Sequence, residues 1–169
     1  MKYKLTDVKI NFMGKTLFQI EAVKCFGDIV KGQKGGFIEK ESNLSQGGNA
    51  WVSGNAKVYG NAEVYGDAKV SGNAWVSGNA KVSGNAKVYG NAEVKGNADY
   101  LVIGPIGSRN DITTFFKTAN NDIKVSCGCF TGTIEEFLEK VNETHGNNNY
   151  VKEYKTAVEI AKIHIFGGE

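Results

Sequence analysis

The amino-acid sequence predicts a mainly β protein: a column of short stacked coils with a β-strand cap before it and a small α+β domain after it. Three observations carry this reading. A six-residue phrase repeats without a gap from Val52 to Asp99. An alternating apolar segment with a Met13-Gly14 turn precedes it. Beyond Tyr100 the phrase stops, and strand-like runs give way to two stretches of helical periodicity.

The cap comes first, over residues 1–29. YKLTDVKINF and KTLFQIEAVKCF flank Met13-Gly14, with Val8, Ile10 and Phe12 alternating on one predicted face. A column of coils needs such a cover, because an open terminal coil exposes unpaired backbone and invites end-to-end association.

The column follows, over residues 30–99. Its perfect part reads VSGNAK, VYGNAE, VYGDAK, VSGNAW, VSGNAK, VSGNAK, VYGNAE, VKGNAD. A period of six is too short for a helical repeat or a propeller blade and fits coils stacked along an axis. Each Val and the Ala two residues before it share a strand face and point inward. Gly-Asn or Gly-Asp supplies the corner, since both residue types tolerate left-handed backbone angles better than others. No hexad can bury its Val alone, so neighbouring coils must cover it.

These hexads resemble the hexapeptide-repeat family. The resemblance implies a left-handed parallel β-helix with three hexads per turn. Val52, Val70 and Val88 would then stack on one face, Val58, Val76 and Val94 on a second, and Val64 and Val82 on a third that continues into Tyr100. The outward residues Glu63, Lys81 and Asp99 would form a ladder of alternating charge. Ile38 and Leu44 stand six apart with small residues two before each, and eight residues separate Val30 from Ile38 and Leu44 from Val52. Read as insertions at two corners, these intervals give about four coils, on the order of 20 Å tall at the usual strand spacing. The same resemblance implies a homotrimer, with Trp51, Tyr59, Tyr65, Trp75 and Tyr89 as outward aromatic anchors of the interface.

The last part, residues 100–169, reads as an α+β domain. Tyr100 to Ile103 is a predicted strand, and TTFFKT and IKVSCGCF flank an Ala-Asn-Asn-Asp hairpin turn. Thr133 and Glu136 make a capping box for a helix whose buried face is Ile134, Phe137, Leu138 and Val141. Val151, Tyr154, Val158, Ala161 and Ile165 mark a second helix. GPIGSRN, VSCGCFTGT, and the pieces at Glu143 and Glu153 resemble a small domain of uncharacterised phage and prophage proteins, which implies a genomic setting and no chemistry.

The function classes narrow by composition. A formal charge of +2, with Lys and acids interspersed, gives no footprint for nucleic acid. No run approaches a membrane span and no leader pattern opens the chain. Three Cys, with Cys127 and Cys129 too close for an easy disulfide, suit a reducing cytoplasm. The hexapeptide family includes coenzyme-A-dependent acyltransferases that use a His general base, but the hexads hold no His, and His145 and His164 fall at helix ends that suit a cation. Cys127, Cys129 and His145 make at most a partial metal set, so no metal, cofactor or catalytic residue is assigned.

The strongest ligand candidate is the turn after Ile103: Gly107, Ser108, Arg109 and Asn110, with the Thr113 hydroxyl nearby. Bare turn amides can face an anion, and Arg offers a bidentate fork. Arg109 is the sole arginine of a chain that otherwise uses Lys. The turn lacks the Gly-Lys-Ser/Thr ending of a P-loop, and a plain structural connection is its bland reading. The expectation is a non-catalytic phage-type binding protein that captures a host factor or a small anionic ligand, with a counter-defence role. The alternatives are a hexapeptide acyltransferase and a structural virion or assembly component.

Overall fold

A computed structural model of the chain describes residues 1–167. It is mainly β, with a β-solenoid of about three turns and two C-terminal helices. The chain divides into two compact units, Met1–Asn97 and the residues from Ala98 on.

In the first unit a hairpin of β1 (Tyr3–Phe12) and β2 (Lys15–Ala22) turns at Met13-Gly14 and is followed by β3 (Lys34–Ile38). Eight two-residue strands then mark the hexads: β4 (Trp51–Val52), β5 (Lys57–Val58), β6 (Glu63–Val64), β7 (Lys69–Val70), β8 (Trp75–Val76), β9 (Lys81–Val82), β10 (Lys87–Val88) and β11 (Glu93–Val94). They pair in parallel as three ladders: β3-β5-β8-β11, β4-β7-β10, and β6-β9 with Leu44 bridged to Val64. Val52 faces Val70 and Val70 faces Val88, as the hexad register requires. Every inward Val from Val52 to Val94 is fully buried, so the interior is a dry aliphatic stack.

Gly takes the left-handed conformation at the hexad corners from Gly54 to Gly90. At Gly72 (φ +71°) a Cβ would also press on the Gly90 backbone of the next coil at 3.0–3.2 Å. Asn and Asp beside these glycines do not adopt positive φ; their amides instead bridge coils, as Asn49 Nδ2 to Asp67 Oδ1 (2.9 Å) and Asn61 Nδ2 to Asn79 Oδ1 (3.3 Å) show. The hexad's Asn is therefore a rung between turns as well as a corner residue.

Two expectations about the column change. Val30 does not enter a stack: it is exposed, and Phe26 and Ile29 close a small bridge of their own, so the column has about three turns rather than four. The third ladder ends at Val82, because Tyr100 opens an antiparallel strand instead. Of the predicted charge ladder, Glu63 and Lys81 pair at 3.8 Å on the exposed face, and Asp99 lies in a 3-10 turn. Exposed pairs of this kind contribute about 0–1 kcal/mol.

The hairpin extends one ladder, β2 pairing antiparallel with β3. A bulge between Leu5 and Lys9 breaks its alternation, and Val8 is exposed rather than inward. The first coil is closed mainly by two side chains at the start of the hairpin, Lys2 and Tyr3. Lys2 Nζ donates to the carbonyls of Ala50 (2.8 Å), Gly47 (3.2 Å) and Gly48 (3.3 Å), and the Tyr3 hydroxyl donates toward those of Leu44 (2.7 Å) and Glu41 (2.9 Å). Both side chains are fully buried, so acceptors that would otherwise be orphaned are satisfied.

The second unit holds an antiparallel sheet of β12 (Tyr100–Ile106), β13 (Asp111–Lys117), β14 (Ile123–Cys127) and β15 (Phe130–Thr133), with helices α1 (Ile134–His145) and α2 (Asn149–Phe166). The run from Ile123 to Phe130 is a second hairpin, not one strand: Gly128 (φ +59°) starts a two-residue turn and Cys127 faces Phe130. Cys129 therefore sits exposed in the turn and does not share a strand face with Cys127. The predicted capping box forms, with Glu136 N donating to Thr133 Oγ1 (3.2 Å) and Thr133 N to Glu136 Oε2 (2.8 Å). Phe115, Val125, Phe137, Tyr154, Val158 and Ala161 belong to the core between sheet and helices.

Candidate functional site

The site grows from two neighbouring turns of the second unit. The β12–β13 turn is closed by Asn110 N donating to Gly107 O (3.1 Å), with Asn110 at φ +48° and Arg109 at the tip. The β14–β15 turn presents the bare backbone of Gly128. A Cβ there would lie 3.4 Å from Arg109 Nη1, so the guanidinium rests over this turn. The last turns of α1 bring Lys140, Val141, Thr144 and His145 to the same place, and α2 brings Tyr154. Together these enclose a pocket of about 130 Å³.

Gly107 (φ +71°) is needed for packing as much as for backbone freedom, since a Cβ would collide with the Tyr154 hydroxyl. Its amide donates to Glu153 Oε2 at 2.7 Å. The Tyr154 hydroxyl lies 3.9 Å from Cys127 Sγ, and the Thr113 hydroxyl donates to the same sulfur at 3.3 Å. Burial, and after it the neighbouring Cys127, pushes the Tyr154 phenol up to about 12, so it stays protonated at neutral pH. His145 stacks on Tyr154 with ring centroids 6.1 Å apart. Phe137 meets Tyr154 edge-on at 5.3 Å and Phe130 at 5.6 Å.

Of the residues named from sequence, Ser108 and Arg109 line this pocket. Asn110 is exposed at the turn. The Gly107 amide is already engaged by Glu153, and Thr113 is fully buried with its hydroxyl on Cys127, so neither offers a free donor. Sequence reasoning missed Phe130, Lys140, Thr144, His145 and Tyr154. The helical spacing around Lys140, Thr144, His145 and Tyr154 and the strand run ending at Phe130 were visible, but nothing in them marks which helix end meets which turn.

The outward aromatics fare differently from one another. Trp51 is only 2 % exposed, packed edge-on to Phe26 (5.5 Å) and Tyr3 (6.4 Å), so it is covered by its own chain and is not a stud on the column. Phe12 of the hairpin lies over Trp75 (4.8 Å) and Tyr59 (5.8 Å). Tyr89 is half-buried and Tyr65 is exposed.

Among the described residues, no group of three or more His, Cys, Asp or Glu side chains is placed to hold a metal ion, and no helix is long and apolar enough to cross a membrane. The chain matches no family model, and no curated protein matches it.

Proposed function

We propose that this is a non-catalytic binding protein whose second unit captures a small anionic ligand at Arg109. The observation that carries the reading is the convergence of Arg109 and Lys140 on one pocket, where Arg109 makes no hydrogen bond or ion pair among the described residues. A guanidinium held over a bare glycine turn keeps its fork available for an oxyanion, and such charge-assisted bonds are shorter and stronger than neutral ones. Lys140 adds charge at the rim and Ser108 a hydroxyl.

The wider setting belongs to the same proposal. The solenoid is read as a left-handed hexapeptide-repeat helix that displays the second unit, in a phage-type protein that works in the cytoplasm as a homotrimer. The hexad register and the 18-residue pairing Val52–Val70–Val88 support the helix. Tyr65 is exposed, and Tyr59, Trp75 and Tyr89 are half-buried, so these four stay within reach of a neighbouring copy. Capture of a host factor is the partner form of the same role.

Arg109→Lys tests the reading. It keeps the charge and loses the fork. Titration of wild type and variant with inorganic phosphate and with acetate, followed by calorimetry, should show weaker binding in the variant with an unchanged melting curve. Equal affinities would remove Arg109 from the site. A lowered melting temperature with unchanged affinity would make it a brace for the turn.

A further inference from the structure

The Arg109 pocket is too aromatic for a bare anion. Resting on the anion-binding reading above, we infer that its ligand is a monoanion carried on a single flat ring, an aromatic carboxylate or an equivalent oxyanion of one charge. Three observations lead there.

The first is the wall. Phe130, Phe137, Tyr154 and His145 form a connected set of rings, each with its neighbour at 5.3–6.1 Å. Such rings offer offset and edge-to-face contacts to another ring. An inorganic anion would occupy Arg109 and leave the half-buried Phe130 and His145 rings beside it without a partner.

The second is size. The pocket is about 130 Å³. An apolar cavity of about 150 Å³ suffices for one benzene molecule, so a single six-membered ring is the right scale.

The third is charge. The guanidinium, ammonium and carboxylate lining the pocket are those of Arg109, Lys140 and Asp111, which sum to one positive charge. Lys140 also meets Glu143, 3.3 Å away on the same helix, in an exposed pair that solvent screens, and Glu143 does not line the pocket. One negative charge balances this set, whereas a dianionic monoester would add repulsion from Asp111. The same cations decide against a quaternary ammonium, which aromatic walls otherwise favour.

The test titrates the full chain at fixed salt with benzoate, acetate, benzyl alcohol and phenyl phosphate. Benzoate should bind about tenfold or more tightly than either acetate, which lacks the ring, or benzyl alcohol, which lacks the charge. Arg109→Gln should bring benzoate down to the level of benzyl alcohol. Thr144→Trp, at an exposed position on the rim, should block benzoate without lowering the melting temperature. Equal binding of benzoate and acetate, both dependent on Arg109, would overturn the ring and leave the anion reading standing. Phenyl phosphate binding tenfold more tightly than benzoate would overturn the single charge. Benzyl alcohol binding as well as benzoate, or no binding of any probe at about 10 mM, would remove both readings.

Discussion

Val76 and Lys81 sit five residues apart and face opposite sides of the chain, one fully buried and one on the outside. Val76→Asp would place a carboxylate in an aliphatic stack with no partner, at a cost of roughly 3–5 kcal/mol. Lys81→Ala removes one exposed pair and should change stability by about 0.5 kcal/mol or less. Paired urea melts check this, and equal shifts would contradict the inward register. Lys2 gives the chain a pH signature. Burial lowers its ammonium from the ordinary 10.5 to about 8, against the opposing pull of Asp67. Below pH 8 folded and unfolded chains both carry the proton, and no slope arises. Between pH 8 and 10 the unfolded chain keeps a proton that the folded chain has released, so Lys2 makes stability rise with pH in that window. Above it the Tyr3 phenol, raised by burial, holds its proton in the folded chain and reverses the trend. Lys2→Met should lower the melting temperature, because three carbonyls lose their donor, and should flatten the rise between pH 8 and 10. A slope that survives in the variant would assign it to another group.

At the scale of elements, the solenoid is a sum of equivalent turns, each coil touching only its neighbours. Residues 71–88 form one full turn, and their removal joins Val70 to Tyr89 with the hexad phrase intact. The shortened chain should fold with a lower melting temperature, whereas removing residues 71–73 shifts each later Val off the inward face and should abolish cooperative melting. Circular dichroism melts separate the two, and equal behaviour would refute the period of six as the structural unit. These strands were legible because small, β-branched and turn residues recur at fixed intervals, and local sequence suffices when every neighbour is the same unit. The hairpin was legible as an element but not in its detail. Its bulge moves Val8 to solvent, and no pattern in YKLTDVKINF announces that. The β14–β15 turn was missed for a related reason. A lone Gly between two Cys reads equally well as strand, and only the pairing of Cys127 with Phe130 makes it a corner.

At the scale of the whole molecule, the proposed trimer has a direct measure. Light scattering at micromolar concentration should give the mass of about three 18.3 kDa chains, and a clean monomer would leave Tyr65 as an ordinary exposed aromatic. The aromatic positions also show where a linear reading stops. Trp51, Tyr59 and Trp75 are outward by hexad register, yet Phe26 covers Trp51 and Phe12 packs edge-on against the half-buried Tyr59 and Trp75, each from far off in sequence. The sequence by itself determined the solenoid, its inward Val and Ala, its corner glycines and both helices, because each depends on contacts that repeat along the chain or close within one turn of it. The sole arginine could also be singled out from composition. Only the tertiary structure decided that Arg109 meets Phe130, Lys140, His145 and Tyr154 at one pocket, that the Gly107 amide belongs to Glu153, and that Lys2 closes the first coil. Those contacts join residues up to 48 positions apart through no repeating pattern. They are set by how sheet and helix faces pack, and packing is a property of the assembled core rather than of any local run of residues.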